Sequence, residues 1–129
     1  MRMGFHEYSS AYAPPMPVCR LRLGAGDTEQ LLGPFDALLD TGSDVSVVPS
    51  HLLEELGSHP TSYGTARSVW GTSRRVTVHI VAVEIDGIQF GAVQVLADEV
   101  GNEIIIGRTI LNRLTLILDG PASMTEIRS

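Results

Sequence analysis

The feature that most constrains this chain is a succession of short segments with strand character, each bounded by turn residues. The extended runs at 63–69 and 74–85 flank the tetrapeptide WGTS, a pattern that predicts a β-hairpin. Many short strands at regular spacing predict an all-β fold, arranged as a small barrel or a sandwich. Further strands are predicted at 18–24, 33–39, 45–48, 88–97, 102–107 and 115–120, with a candidate last strand at 124–129, a turn at 24–27 and short helices at 49–56 and 108–114.

Length and composition predict one globular domain preceded by an arm. The chain has 129 residues, of which 43% are hydrophobic, enough for a single packed core. Residues 1–16 are rich in Pro, Ser and Tyr and show no period, so we expect a flexible N-terminal arm there and a domain at 17–129. We find no internal repeat and no linker within that domain.

The charge balance and the single cysteine limit the partners and the compartment. A formal net charge of −6 argues against nucleic acid or an anionic membrane as partner, because both require a basic face. The apolar runs are too short to cross a bilayer, and the start lacks the apolar core of a signal peptide. Cys19 cannot form an internal disulfide, so we expect a buried thiol and a cytoplasmic protein.

One carboxylate stands in an unexpected place, within the segment FDALLDTGSDVSVVP at 35–49. Asp40 directly follows two leucines, and burying an unpaired charge costs several kcal/mol or more. A metal site with Asp36 and Asp44, spaced by four, is disfavoured because Gly42 and the valines that follow oppose a helix. The histidines show no ligand spacing with Cys19 either, and we expect no metal and no cofactor.

Two interpretations of Asp40 remain open on the residues alone. Its side chain can cap a turn through backbone N–H groups, which is the default for an isolated D-T-G-S tetrapeptide. Alternatively, it is an acid/base carboxylate, fixed by those N–H groups and open to close approach over Gly42. Two such carboxylates placed side by side would share a proton. The neutral one could then polarise a peptide carbonyl while the ionised one takes a proton from water.

Two segments carry a resemblance to a known family. The stretch ALLDTGSDVSVVP resembles the active-site loop of aspartic proteases. The stretch EIIIGRTILNRL (103–114) is similar to the apolar-apolar-Gly-Arg turn and short helix of retropepsins, the single-domain retroviral-type proteases and their bacterial relatives. The predicted hairpin lies between them, where that family carries its flap. The resemblance covers about residues 17–119 and implies a small closed barrel with a flap hairpin and one or two short helices.

The resemblance also implies roles for the residues of the loop. Asp40 matches the catalytic aspartate, and Thr41 matches the residue whose hydroxyl bonds across the dimer axis. Gly42 matches the residue that contacts the substrate backbone. Ser43 completes the loop and stands where retroviral members usually carry alanine. Asp44 and Arg108 match an acidic–basic pair that braces the loop against the C-terminal helix.

The hairpin tip and the oligomeric state follow from the same resemblance. Val69, Trp70, Gly71 and Thr72 fall at the flap tip, where viral relatives carry several glycines. Because this chain has a single D-T-G, the catalytic pair requires a homodimer in which the two Asp40 side chains meet at a two-fold axis. Strands near the termini, including 114–119, are candidates for an intersubunit sheet.

The function that the resemblance implies is that of an aspartic endopeptidase acting on peptide or protein substrates. The alternative is a catalytically inactive dimerisation or peptide-binding module with the same fold.

Overall fold

The computed structural model describes residues 1–26 and 29–129, and strands dominate this part of the chain. The strands are β1 (Met3–Glu7), β2 (Val18–Ala25), β3 (Leu32–Leu39), β4 (Ser46–Pro49), β5 (Ser62–Arg67), β6 (Ser73–Ile85), β7 (Ile88–Asp98), β8 (Ile104–Ile106), β9 (Thr115–Asp119) and β10 (Met124–Arg128). Two short helices, α1 (Ser50–Glu55) and α2 (Arg108–Leu111), follow β4 and β8. The predicted all-β fold is confirmed. The predicted turn at 24–27 includes Asp27, which lies outside the described residues.

Six strands close into a barrel, which the resemblance also implied. Their order is β2-β3-β8-β4-β7-β6, and β2 pairs with β6 to close the ring. Strand β5 continues the sheet beyond β6 and forms with it a long antiparallel hairpin, from Ser62↔Val78 to Arg67↔Ser73. Strand β8 runs parallel to β3 and antiparallel to β4, so the ends of β3 and β8 lie beside the start of β4.

The barrel interior is filled by aliphatic side chains that alternate along the strands, as a half-buried sheet requires. Cys19 on β2 is fully buried among them, as predicted. Burial, together with the nearby carboxylates of Asp86 and Asp36, raises the pKa of its thiol to about 12. The thiol therefore stays protonated and packs as a small hydrophobic group.

A second sheet, of order β1-β10-β9, packs beside the barrel. It includes residues 3–7, which belong to the segment predicted as an arm, so this segment contains a strand that the sequence pattern did not indicate. Strand β1 pairs with β10 from Met3↔Arg128 to Glu7↔Met124. It also approaches Asp86: Gly4 lies so close that a side chain there would collide with it, and His6 Nε2 lies 2.9 Å from Asp86 Oδ2. The pattern missed this strand because its larger apolar residues, Met3 and Phe5, face outward. The division of the chain into an arm and a domain stays a prediction.

Within the described residues, no helix combines the length and the apolar character needed to cross a bilayer.

Candidate active site

Asp40 lies at the point where the chain leaves the barrel. Strand β3 ends at Leu39, and the N–H of Asp40 donates to the carbonyl oxygen of Ile106 on β8 at 3.0 Å. Leu39 and Ile106 are buried, but Asp40 is exposed. The apolar run around Asp40 suggested a buried carboxylate. In the single chain it is not buried, because the strand stops one residue before it.

The turn that follows Asp40 holds one oxygen of its carboxylate. The N–H of Gly42 donates to Asp40 Oδ1 at 2.9 Å, and the N–H of Ser43 donates to the carbonyl oxygen of Asp40 at 3.2 Å. In the part of the chain that the structure describes, no donor reaches the second carboxylate oxygen. The side chain is thus oriented by the backbone and still presents an oxygen that can exchange a proton with water.

A buried serine on β4 and backbone contacts with the turn between β8 and α2 hold the loop that follows Asp40. Ser46, only 1% exposed, accepts a hydrogen bond from the N–H of Gly107 at 3.1 Å. The N–H of Arg108 donates to the carbonyl oxygen of Ser43 at 2.8 Å, and Ser43 Oγ donates to that of Val45 at 2.6 Å. Sequence reasoning missed Ser46 and Gly107 as supports of the loop. The available signal was a polar residue in the otherwise apolar run VSVV.

The predicted ion pair between Asp44 and Arg108 is absent among the ion pairs of the described residues. The Arg108 guanidinium instead donates from Nη1 to the carbonyl oxygen of Thr41 at 2.7 Å. Asp44 is exposed and turned to solvent, so the backbone carbonyl is the acceptor that Arg108 reaches. Arg108 therefore connects α2 to the loop through the main chain of Thr41.

We expect Arg108→Ala to destabilise the fold by about 1 kcal/mol, because it removes one charge-assisted hydrogen bond at an exposed site. Asp44→Ala, the matched control, is expected to change the unfolding free energy by less than about 0.5 kcal/mol. Urea unfolding of both variants measures the difference. Equal losses in the two variants would show that the side chains do pair.

The β5–β6 hairpin ends in a tight, apolar tip. The N–H of Ser68 donates to the carbonyl oxygen of Thr72 at 2.9 Å, and Gly71 closes the turn with a φ of +82°, a conformation that favours glycine. Val69 is 93% exposed and Trp70 is 88% exposed. The tip of the hairpin thus presents two large apolar side chains to solvent.

The root of this hairpin is held by a buried histidine. His79 on β6 is 5% exposed, and its ring nitrogens lie 3.0 Å from Ser58 Oγ and 3.2 Å from Thr77 Oγ1. Ser58 follows α1, so the imidazole joins the hairpin to the end of that helix. Burial, and to a lesser degree the neighbouring His59, lower the pKa of His79 below its ordinary value.

This lowered pKa predicts a loss of stability in acid. As the pH falls below about 6.5, the unfolded chain takes up a proton at His79 before the folded chain does, which favours unfolding. In His79→Gln, which cannot titrate, we expect a shallower decline of the unfolding free energy between pH 7 and pH 5. Parallel urea titrations at both pH values measure it. Identical declines in the two proteins would rule out this contribution.

Asp36, Asp40 and Asp44, spaced by four in the sequence, are not gathered into one cluster in the described part of the chain. Within residues 1–26 and 29–129, no group of three His, Cys, Asp or Glu side chains is placed to hold a metal ion. Asp36 lies on β3 opposite Arg20 of β2, away from the turn that carries Asp40.

The sequence and the fold were compared with those of known proteins. A family model described as gag-polyprotein putative aspartyl protease matches residues 32–113, well over half of the chain. Among solved structures, the EIAV protease complexed with the inhibitor HBY-793 is 24% identical, with 76% of this chain and 86% of that chain covered and a TM-score of 0.56. A retropepsin-like aspartic protease from Rickettsia conorii is 12% identical, with 97% and 90% covered and a TM-score of 0.65. No curated protein matches this sequence.

Proposed function

Because the chain belongs to the family of gag-polyprotein putative aspartyl proteases and has the retropepsin-like fold, we propose that it is an aspartic endopeptidase that acts as a homodimer. The main observation behind the proposal is the exposure and the hydrogen bonding of the Asp40 carboxylate. Its carboxylate is exposed at the barrel end and oriented by the N–H of Gly42, and no donor among the described residues binds its second oxygen. That is the arrangement a carboxylate needs to act on a water molecule.

A second chain is required because peptide hydrolysis of this type uses two carboxyl groups. Asp36 lies along β3, away from the Asp40 turn, and Asp44 is turned to solvent, so neither supplies the second group. The exposed surface of Asp40, Thr41 and Gly42 is open to a second copy related by a two-fold axis. Across that axis the Thr41 hydroxyls would bond to the opposite loop, as the family pattern implies.

The proposed reaction proceeds without a covalent intermediate. The ionised Asp40 of one subunit takes a proton from a water molecule held between the two carboxyl groups, and the resulting hydroxide attacks the peptide carbonyl carbon. The neutral Asp40 of the other subunit donates its proton to the carbonyl oxygen. The first Asp40, now protonated, then gives its proton to the peptide nitrogen, and the second, now ionised, takes one from a hydroxyl group of the tetrahedral intermediate. The C–N bond breaks to give a carboxylic acid and an amine, and the pair again holds one proton.

In this proposal the tip of the β5–β6 hairpin covers the bound substrate. Val69, Trp70, Gly71 and Thr72 would fold over an extended peptide and exclude water from the reacting bond. The apolar side chains of Val69 and Trp70 support this role, since both are almost fully exposed in the single chain.

The three-stranded sheet is the proposed second contact between subunits. Strands β1 and β9 form its edges, and unpaired edges are surfaces that sheets tend to cover. Phe5, Ile117 and Leu118 are 59%, 39% and 49% exposed on these two strands. Burial of such side chains against a second copy would stabilise the dimer.

Cleavage of an unfolded protein at about pH 5, with enzyme concentration as the variable, tests the proposal. We expect the specific activity to rise with concentration along the same curve as the dimer fraction measured by sedimentation, and a pepstatin-like inhibitor to stop it. A chain that dimerises and binds peptides without cutting them at any pH from 3 to 7 would instead be a binding module with this fold.

A further inference from the structure

Asp40 lies on the outer face of the barrel, together with another side chain of β3. Along this strand Ala37 and Leu39 belong to the buried core, so Leu38 between them lies on the opposite, outer face. The hydrogen bond from the N–H of Asp40 to the carbonyl oxygen of Ile106 continues the pairing of β3 with β8 through residue 40. Asp40 therefore shares the outer face with Leu38, about 7 Å away along the strand.

The segment that precedes β2 covers part of this face. Val18 lies directly opposite Leu38 in the β2–β3 register, so its side chain is on the same face, yet it is only 4% exposed. Residues 8–16 form a loop whose ends are joined by backbone hydrogen bonds between Ser9 and Met16, at 2.8 and 3.1 Å. This loop borders the same cavity as Val18, which places it over the outer face.

A cavity of about 210 Å³ lies between the loop and the barrel. Val18 and Leu38 line it with apolar groups, and Tyr12 and Glu103 line it with polar ones. Cavities that hold drug-sized ligands measure about 300–1,000 Å³, so this smaller one suits a single side chain. Because Leu38 is only two residues from Asp40, the cavity is within reach of a peptide side chain close to the scissile bond.

The carboxylate of Glu103 brings negative charge to this cavity. The Tyr12 hydroxyl donates to Glu103 Oε2, and this bond raises the pKa of Tyr12 above its ordinary value, so the hydroxyl keeps its proton and remains a donor. In the described part of the chain, no arginine or histidine lies within ion-pair distance of Glu103. Asp36 also borders the cavity, but it lies directly opposite Arg20 in the β2–β3 register. Glu103 is thus the carboxylate whose charge is left for a ligand.

We propose that Glu103 is a specificity-determining residue that binds a lysine or arginine side chain of the substrate in this cavity, and that Tyr12 positions its carboxylate. The inference rests on the proposed function, in which an extended peptide lies across Asp40. The aliphatic stem of the basic side chain packs on Val18 and Leu38, and its charged end meets the carboxylate. The preferred substrate is then a peptide with Lys or Arg near the scissile bond.

The test compares peptides that differ only by Lys or Gln at one position on either side of the cleaved bond. At the preferred position, we expect the wild-type kcat/KM to favour Lys about tenfold at pH 6, the effect of one charge-assisted hydrogen bond. Glu103→Gln should bring the ratio to about one with the Gln peptide cut as before, and Glu103→Asp should restore part of it. Glu55→Gln, which removes a charge from the exposed side of α1, is the control and should keep the wild-type ratio.

Tyr12→Phe tests the positioning role. Without the hydroxyl the carboxylate is no longer held, so the KM for the Lys peptide should rise about threefold, while its kcat, the kinetics of the Gln peptide and the urea unfolding curve stay unchanged. Tyr8→Phe removes another hydroxyl from the same loop and should leave the KM as it is in the wild type. A Tyr12→Phe variant with wild-type KM for both peptides would rule out this role.

Two results would overturn the assignment of Glu103: a ratio of one at every position in the wild type, or an equal loss in Glu55→Gln, which would indicate attraction by overall charge. Cleavage of the Lys and Gln peptides at equal rates would leave the peptidase proposal standing without this site. Calorimetry with a non-cleavable peptide covers the converse case. A Lys preference in binding that Glu103→Gln removes, in a protein that cuts no peptide, would leave the Glu103 site standing and the peptidase proposal wrong. A protein that neither binds nor cuts these peptides would contradict both.

Discussion

Replacing Asp40 by asparagine is expected to lower the rate of peptide hydrolysis by roughly 10⁴-fold, while the fold and the dimer persist. An amide can neither take a proton from water nor donate one to the substrate carbonyl, so the dimer loses its general base and its general acid together. The amide oxygen can still accept the N–H of Gly42, which now bonds Asp40 Oδ1 at 2.9 Å, so the turn should keep its shape. Removal of two adjacent carboxylates also removes their repulsion, and the dimer should be no weaker.

Three measurements on this variant separate the possible roles of Asp40: peptide cleavage, sedimentation mass and urea unfolding. Asp36→Asn is the matched control, since it makes the same change on the exposed side of β3 and should cleave at the wild-type rate. Cleavage by Asp40→Asn near the wild-type rate would reject the peptidase assignment. A monomeric, unfolded variant would show that Asp40 acts mainly as a turn cap.

The fold was predictable because its signals are local. Alternation along 74–85 and the WGTS turn identify the hairpin, and the two motif segments identify the strands that flank the barrel end. Strand β1 was missed because its order depends on distant contacts, from Gly4 and His6 to Asp86, which no local pattern shows.

The sequence singled out the residues of the loop, but several of their contacts could not be predicted from it. The segment around Asp40 indicated the loop, but the apolar neighbours suggested burial, which in the single chain ends at Leu39. The acceptor for Arg108 proved to be a main-chain oxygen, that of Thr41. A side-chain motif carries no information on which carbonyl lies within reach, so the predicted partner Asp44 was the wrong one.

The second large effect is expected at Gly107, where the loop and the β8–α2 turn touch. A Cβ atom at this position would lie 2.7 Å from the carbonyl carbon of Val45, closer still to its oxygen, and 2.8 Å from the carbonyl oxygen of Ser43. These are backbone atoms and cannot rotate away. Relief of the overlap would pull the turn from the loop and break the bonds to Ser46 Oγ and to Ser43.

Gly107→Ala should therefore destabilise the protein by about 3 kcal/mol and lower its melting temperature by roughly 10 °C, with activity lost through displacement of Asp40. Gly91→Ala on β7 is the control: its Cβ would meet no atom within 4 Å, and we expect a change below about 0.5 kcal/mol. Melting curves that coincide for the two variants would contradict the close approach. The contrast with Asp40→Asn is informative, because that variant should lose chemistry with the loop intact, whereas Gly107→Ala should lose the loop with the carboxylate still present.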